Sequence, residues 1–190
     1  MRTFLTDYVT EQRSALESIP LDEVEKLVGH FKNALQEDRQ IFVFGNGGSA
    51  ANASHMITDL GKGASDKTYR RFRCLSLNDN TNWVTAIGND YCYDDIFIRQ
   101  LQNYARPGDL VMVMSVSGNS SNLVRAIEWC RENNIFTVAL LGKNKGKLAE
   151  IADQAIIVDS GHYGRVEDCH MHICHMVCYV FMEMENLHHL

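Results

Sequence analysis

The chain has 190 residues, 45% of them hydrophobic and 22% charged, a composition that fits one globular domain with a full core and excludes a disordered or fibrous protein. A formal net charge of -6 argues against a surface built to coat nucleic acid, so no nucleic-acid partner is expected and any phosphate must be held by local geometry.

From residue 3 to about 37 the apolar positions Phe4, Tyr8, Leu21, Val24, Leu27, Val28, Phe31 and Leu35 fall at helical spacing, with Ser18-Ile19-Pro20 as a break between two helices. The pattern then alternates: strand 40–44, helix 48–60, strand 72–77, helical segments within 81–104, strand 110–115, helix 120–133, strand 135–141. A short helix at 146–152, a strand at 154–158 and a last helix over 164–187 complete it. Runs such as Leu110-Val111-Met112-Val113-Met114 are apolar throughout, as strands covered on both faces are. The expected fold is therefore α/β, a doubly wound parallel sheet in a single domain over residues 1–190. Residues 1–38 form a helical extension on that domain or on a neighbouring subunit. The Gly-, Lys- and Arg-rich stretch 61–71 reads as a mobile or exposed loop, and residues 186–190 as a frayed end.

Six cysteines, at 74, 92, 130, 169, 174 and 178, contain no C-x-x-C pair, and several sit in apolar segments as small hydrophobes. The N-terminal residues lack the apolar core of a signal peptide, and no apolar run approaches membrane-spanning length. A reduced, cytoplasmic protein with no membrane partner is the expectation.

Two strand-to-helix turns carry the chemistry. Gly45-Asn46-Gly47-Gly48-Ser49-Ala50 follows the first strand, and Ser115-Val116-Ser117-Gly118-Asn119-Ser120 follows the third. Glycines bring backbone close to a ligand, and free N–H groups at a helix start, helped by Ser hydroxyls, favour an anion. The first turn also reads as G-x-G-x-x-A, a weak dinucleotide fingerprint. The acid after the second strand, Asp79, lies about thirty residues from those glycines rather than about twenty, and a second anion turn is foreign to that fingerprint. A phosphorylated small molecule fits both turns better.

On the helix after the first turn, His55 and Asp59 are four residues apart and share a face. The last helix adds Glu167, His170, His172 and His175 to an otherwise Met-, Cys- and Val-rich segment. Histidines on such a helix are commonly satisfied core residues, yet the pool of imidazoles and carboxylates suits zinc. A local His172/His175 pair is the rival ligand choice. Glu167 and His175 lie about 12 Å apart along a continuous helix, so one subunit does not comfortably supply both to one ion. An oligomer with composite sites follows. Gly88-Asn89-Asp90, between two helical segments, offers an amide and a carboxylate, although capping alone explains those residue types.

Taken together, the Gly45–Ala51 turn, His55, Asp59, Gly88-Asn89-Asp90, Ser115-x-Ser117-Gly118-x-Ser120 and the Glu167–His175 block resemble the phosphoheptose isomerases, a group of sugar isomerase (SIS) domain proteins, over nearly the whole chain. The resemblance implies a five-stranded parallel sheet in flavodoxin-like order, a homotetramer, one zinc per site, and conversion of sedoheptulose 7-phosphate to D-glycero-D-manno-heptose 7-phosphate. It implies that Ser115, Ser117 and Ser120 hold the phosphate, that Asn46, Gly47, Gly48, Asn89 and Asp90 line the sugar, and that Val116 and Glu167 also contact the substrate. It places His55, Asp59, Glu167 and His175 at the metal, with Asp59 as base and His175 as acid.

Three positions depart from the family pattern, which commonly has Glu at 59, Gln at 167 and Thr at 116. Asp59 is one methylene shorter than Glu, and misplacement of about 1 Å can cost roughly a hundredfold in rate. Glu167 adds charge that would tighten zinc binding. The competing expectations are an isomerase of a different ketose phosphate and a non-enzymatic SIS protein, either phosphosugar-binding or a replication-initiation adaptor; such adaptors tend to lose the acid/base positions, whereas this chain fills them with groups that ligate and titrate.

Overall fold

The computed structural model describes residues 1–190. Its five strands, β1 (Gln40–Gly45), β2 (Arg73–Ser76), β3 (Leu110–Ser115), β4 (Phe136–Gly142) and β5 (Gln154–Val158), form one parallel sheet in the order β2-β1-β3-β4-β5. The expected α/β class and strand count hold. One row across the sheet reads Ser76, Val43, Met112, Val138, Gln154. Winding reverses between β1 and β3, and a crevice at the carboxyl ends of those strands is where ligands of such sheets bind.

Period-two alternation gives each strand two apolar faces. Ile41, Val43, Met112, Met114, Val138 and Leu140 join a core with α2 (Leu21–Gln36), α3 (Gly48–Thr58) and α8 (Tyr163–Glu183). Phe42, Phe44, Val111, Val113, Ala139 and Leu141 face the opposite core, built with α5 (Ile98–Tyr104), α6 (Ser121–Glu132) and the short α7 (Leu148–Ile151). Helix α1 (Arg2–Glu17) packs on α8, and the break before α2 is where expected, with Pro20 as the N-cap residue. Leu27 and Phe31 on α2 are fully buried, each contributing about 1.5–3 kcal/mol relative to exposure. Helix α4 (Thr81–Asp90) follows β2 and is capped by Asn80 Oδ1, which accepts from Trp83 N. Gly88, Asn89 and Asp90 therefore form its last turn rather than a loop.

Two expectations are corrected. The 61–71 stretch is exposed over most of its length, as expected, yet is no simple loop: α3 runs directly into a π-helical turn over Asp59–Ala64, with Ser65 N donating to Leu60 O at 3.1 Å. Leu60, Ala64, Ser65 and Thr68 are buried beneath its polar outer surface, and Gly63 lies so close to the Met182 methyl that any Cβ would overlap it. Polar composition hid those inward positions. Nor are residues 186–190 frayed. α8 stops at Glu183, Glu185–Leu187 make a 3-10 turn, and the tail folds back so that Tyr69 N donates to His188 O (3.0 Å) and Arg70 N to Leu190 O (2.7 Å). Leu187 and Leu190, three residues apart, are both buried and anchor it.

No helix is long and apolar enough to cross a membrane.

Candidate functional site

At the winding reversal, β1 and β3 are neighbours with Gly45 opposite Met114, so the two Gly/Ser turns lie side by side. Gly45 is required there, because a Cβ would stand 2.8 Å from Met114 O. Asn78, just past β2, clamps the same glycine: Gly45 N donates to Asn78 Oδ1 (3.2 Å) and Asn78 Nδ2 to Gly45 O (2.9 Å).

The second turn is folded by its own hydroxyls. Gly118 N donates to Ser115 Oγ at 3.0 Å and Asn119 N to Ser117 Oγ at 3.3 Å. Gly118 has φ +67 and abuts Lys145 O, a combination that excludes a side chain. Ser120 is the N-cap of α6, and its hydroxyl caps no backbone N–H. Between the turns is a cavity of about 90 Å³ bordered by Asn46, Ser115, Val116, Ser117, Ser120 and Glu167. Ser49 and Tyr163 border it too, and neither was singled out from sequence. The signals were present: Ser49 lies within the glycine turn, and Tyr163 precedes Glu167 by four residues and shares its helix face.

Gly47 adopts φ +55 and launches α3. Gly48 is pressed against Glu167, whose two carboxyl oxygens would each be 2.5 Å from an added Cβ. Burial and, after it, the Asp168 charge hold the Glu167 carboxyl above the usual range. Asn52 Nδ2 ties α3 to α8 by donating to Glu167 O at 2.8 Å.

Farther along the same two helices is a second cluster. His55 Nε2 stands 3.3 Å and His175 Nε2 3.7 Å from one oxygen of Asp59, and the two Nε2 atoms are 3.5 Å apart. All three ligand atoms lie within 4.8 Å of one another. Asp59 occupies the junction where α3 becomes π-helical, a distortion frequent at functional sites. Two imidazoles and a carboxylate converging with outward access make a donor set suited to a divalent cation with positions left for substrate.

The remaining expected residues lie elsewhere. Glu167 borders the cavity and stands outside the His55-Asp59-His175 group of this protomer. Asn89 and Asp90 are exposed, and Asp90 lines a separate pocket with Trp83, Tyr91 and Arg99. His172 is exposed, its Nδ1 2.8 Å from Asp168 O of its own helix. His170 is wholly buried with neither ring nitrogen in good hydrogen-bond geometry, and burial pushes its pKa down to about 4, the nearby Leu141 carbonyl opposing that shift only weakly. Cys130, Cys169, Cys174 and Cys178 are buried, and their thiols are pushed up by desolvation.

Comparison with known proteins agrees with this fold. The SIS domain family matches residues 6–142. A probable phosphoheptose isomerase of Thermoplasma volcanium is 39% identical, covering 93% of this chain and 89% of the relative. The phosphoheptose isomerase of Aquifex aeolicus is 34% identical over 92% of this chain and 91% of its own. The solved structure of phosphoheptose isomerase GmhA from Neisseria gonorrhoeae superposes with TM-score 0.87 at 27% identity, covering 95% of this chain and 97% of that one. The chain therefore belongs to the SIS domain family, among the phosphoheptose isomerases.

Proposed function

We propose that the chain is an aldose–ketose isomerase acting on sedoheptulose 7-phosphate, with D-glycero-D-manno-heptose 7-phosphate as product. The observation that carries this is the spacing of two unlike sites along one pair of helices. Gly48 meets Glu167, which borders the cavity, residues 55 and 175 meet at the imidazole cluster, and about 12 Å of helix separates the two. A compact ligand occupies one site; an extended ketose phosphate reaches both.

In this reading the hydroxyls and free N–H groups of the 115–120 turn hold the phosphate, and Asn46, Gly47 and Gly48 line the sugar. Asp59 takes the proton from C1 of the ketose and returns it to C2, while His175 gives a proton to O2 and takes the O1 hydroxyl proton in return as the aldehyde forms. The reaction is internal to the sugar and redox-neutral. A general acid or base contributes about 10²- to 10⁴-fold to such a step. His55, Asp59 and His175 would hold a divalent cation, zinc by donor type; His175 so bound through Nε2 would no longer give a proton, Lewis-acid stabilisation of the oxyanion would take the place of that step, and the second Asp59 oxygen would stay free as base.

The working unit in this proposal is a homotetramer. Phe4, Leu5 and Val9 of α1 are 67%, 53% and 60% exposed, and an apolar groove of about 540 Å³ lies between α2 and α8 at Val28, Met176 and Val180. Such surfaces are those that copies of a chain bury against one another. Asn89 and Asp90 join the site through contacts between copies.

The test is proton exchange in D2O with sedoheptulose 7-phosphate and a panel of other ketose phosphates, followed by NMR. Deuterium at C2 of an aldoheptose phosphate is the expected result. No aldose product together with no deuterium in any ketose phosphate would overturn the proposal, whereas an aldose product without deuterium at C2 would still support it, as transfer faster than solvent exchange.

A further inference from the structure

The amide of Asn46 is fixed by residues that no motif points to. Asn46 Nδ2 donates to Asn122 Oδ1 at 2.9 Å, and Asn122 Nδ2 donates to Asn46 Oδ1 at 2.9 Å, a closed two-bond ring between side chains 76 positions apart. Tyr93 Oη donates to the same Asn46 Oδ1 at 3.2 Å. Asn122 is 1% exposed, in the first turn of α6 directly behind the serine turn, while Tyr93 begins the 3-10 turn Tyr93–Asp95 after α4. Three connections, after β1, α4 and β3, therefore meet on one amide that borders the cavity.

A primary amide offers two N–H donors and two lone pairs. In Asn46 one donor and both lone pairs are committed, which leaves a single N–H. We propose that Asn122, with Tyr93, is a positioning residue that holds the Asn46 amide so that it presents this one donor to an acceptor oxygen of the sugar. The proposal rests on the isomerase reading and adds its polarity: position 46 selects a substrate oxygen that accepts. Asn122 touches no substrate in this account. Burial makes the lock stiff, because at that depth no water replaces a lost amide partner.

The test compares Asn122→Ala and Tyr93→Phe with the wild type in three measurements. These are kcat/KM with sedoheptulose 7-phosphate, the inhibition constant of inorganic phosphate, and water exchange of the Asn46 side-chain amide protons by NMR. Asn122→Ala is expected to lower kcat/KM about ten- to hundredfold, the usual effect of a misaimed group. It should leave the phosphate constant within about twofold and speed exchange of the Asn46 amide. Tyr93→Phe keeps the amide ring and should lower kcat/KM about two- to tenfold, as loss of one hydrogen bond does. It also serves if Asn122→Ala does not fold. A parallel fall in sugar turnover and phosphate affinity would make Asn122 a support of the serine turn and overturn the proposal, as would unchanged kcat/KM in both variants. If the wild type turns over no ketose phosphate, the isomerase reading fails separately. The amide exchange then decides whether Asn122 holds Asn46.

Discussion

His55 Nε2 and His175 Nε2 stand 3.5 Å apart and face the same oxygen of Asp59, although 120 residues separate the two histidines. Their helices, α3 and α8, run side by side in the same direction, since Gly48 meets Glu167 at one end and His55 meets His175 farther on. Three donors aimed at one point predict metal binding that depends on each of them. His175→Ala and Asp59→Asn are both expected to weaken zinc or cobalt binding by more than about a hundredfold, exceeding the ten- to hundredfold typical of losing an outer partner. Metal analysis of untagged protein checks this directly. Metal content unchanged in both variants would remove the cluster from consideration as a metal centre.

Glu167 predicts a charge effect on the neighbouring anion site. Its carboxyl borders the same cavity as Ser115, Ser117 and Ser120 and is held above the usual carboxylate range by burial and by Asp168. An ionised carboxylate there opposes a phosphate. Glu167→Gln is expected to tighten inorganic phosphate binding about fivefold at pH 8, roughly 1 kcal/mol of relieved repulsion. The sign of the pH effect follows. As pH falls through the range of this raised carboxyl, wild-type Glu167 becomes neutral, so the advantage of the variant shrinks toward pH 5. Calorimetric titration with phosphate at the two pH values measures it, and weaker binding by the variant would show that Glu167 aids the anion.

Much of this is legible in the sequence, for identifiable reasons. The central strands announce themselves because both of their faces are covered, so 110–115 reads as unbroken apolar sequence. The pairing of His55 with Asp59 follows from helix geometry alone. What was not legible depends on contacts between distant segments. Nothing local separates His175 from His172, which stand three residues apart; only the packing of α8 on α3 aims the first inward at Asp59 and leaves the second exposed. Asn122 reads as an ordinary helix-start residue until Asn46 is found against it. The Leu187 and Leu190 anchors were hidden in the same way, among polar neighbours at the chain's end.

His170 predicts an acid-sensitive fold. With its pKa pushed down to about 4 by burial, against about 6.5 in the unfolded chain, the unfolded state binds the extra proton between those values. Stability is therefore unaffected by this residue above about pH 6.5 and falls as pH drops from there toward 4. The full loss is about 3 kcal/mol. Denaturant midpoints at pH 7.5 and 4.5 should converge in His170→Gln relative to the wild type. An equal acid loss in both proteins would assign the sensitivity to other groups.

The folded-back tail predicts an effect on the segment that carries Asp59. Leu187 and Leu190 bury against the core, His188 Nε2 lies 3.3 Å from Met182 O, and Tyr69 and Arg70 donate to tail carbonyls. The segment so held, 65–71, continues directly from the π-helical turn that begins at Asp59. Met182, which fills the space beside Gly63, lies on the last turn of α8 just before the tail. A Leu187→Ala/Leu190→Ala double variant is expected to lose about 4 kcal/mol, the low end of the range for two buried leucines, since both sit at the core's edge. More diagnostic is where the looseness appears. Hydrogen exchange followed by mass spectrometry should quicken most in peptides spanning 59–72, because local opening follows the loss of buried apolar contacts and need not spread to the sheet. Exchange that rises evenly over the whole chain would mean that the tail adds general stability without holding the Asp59 segment in place.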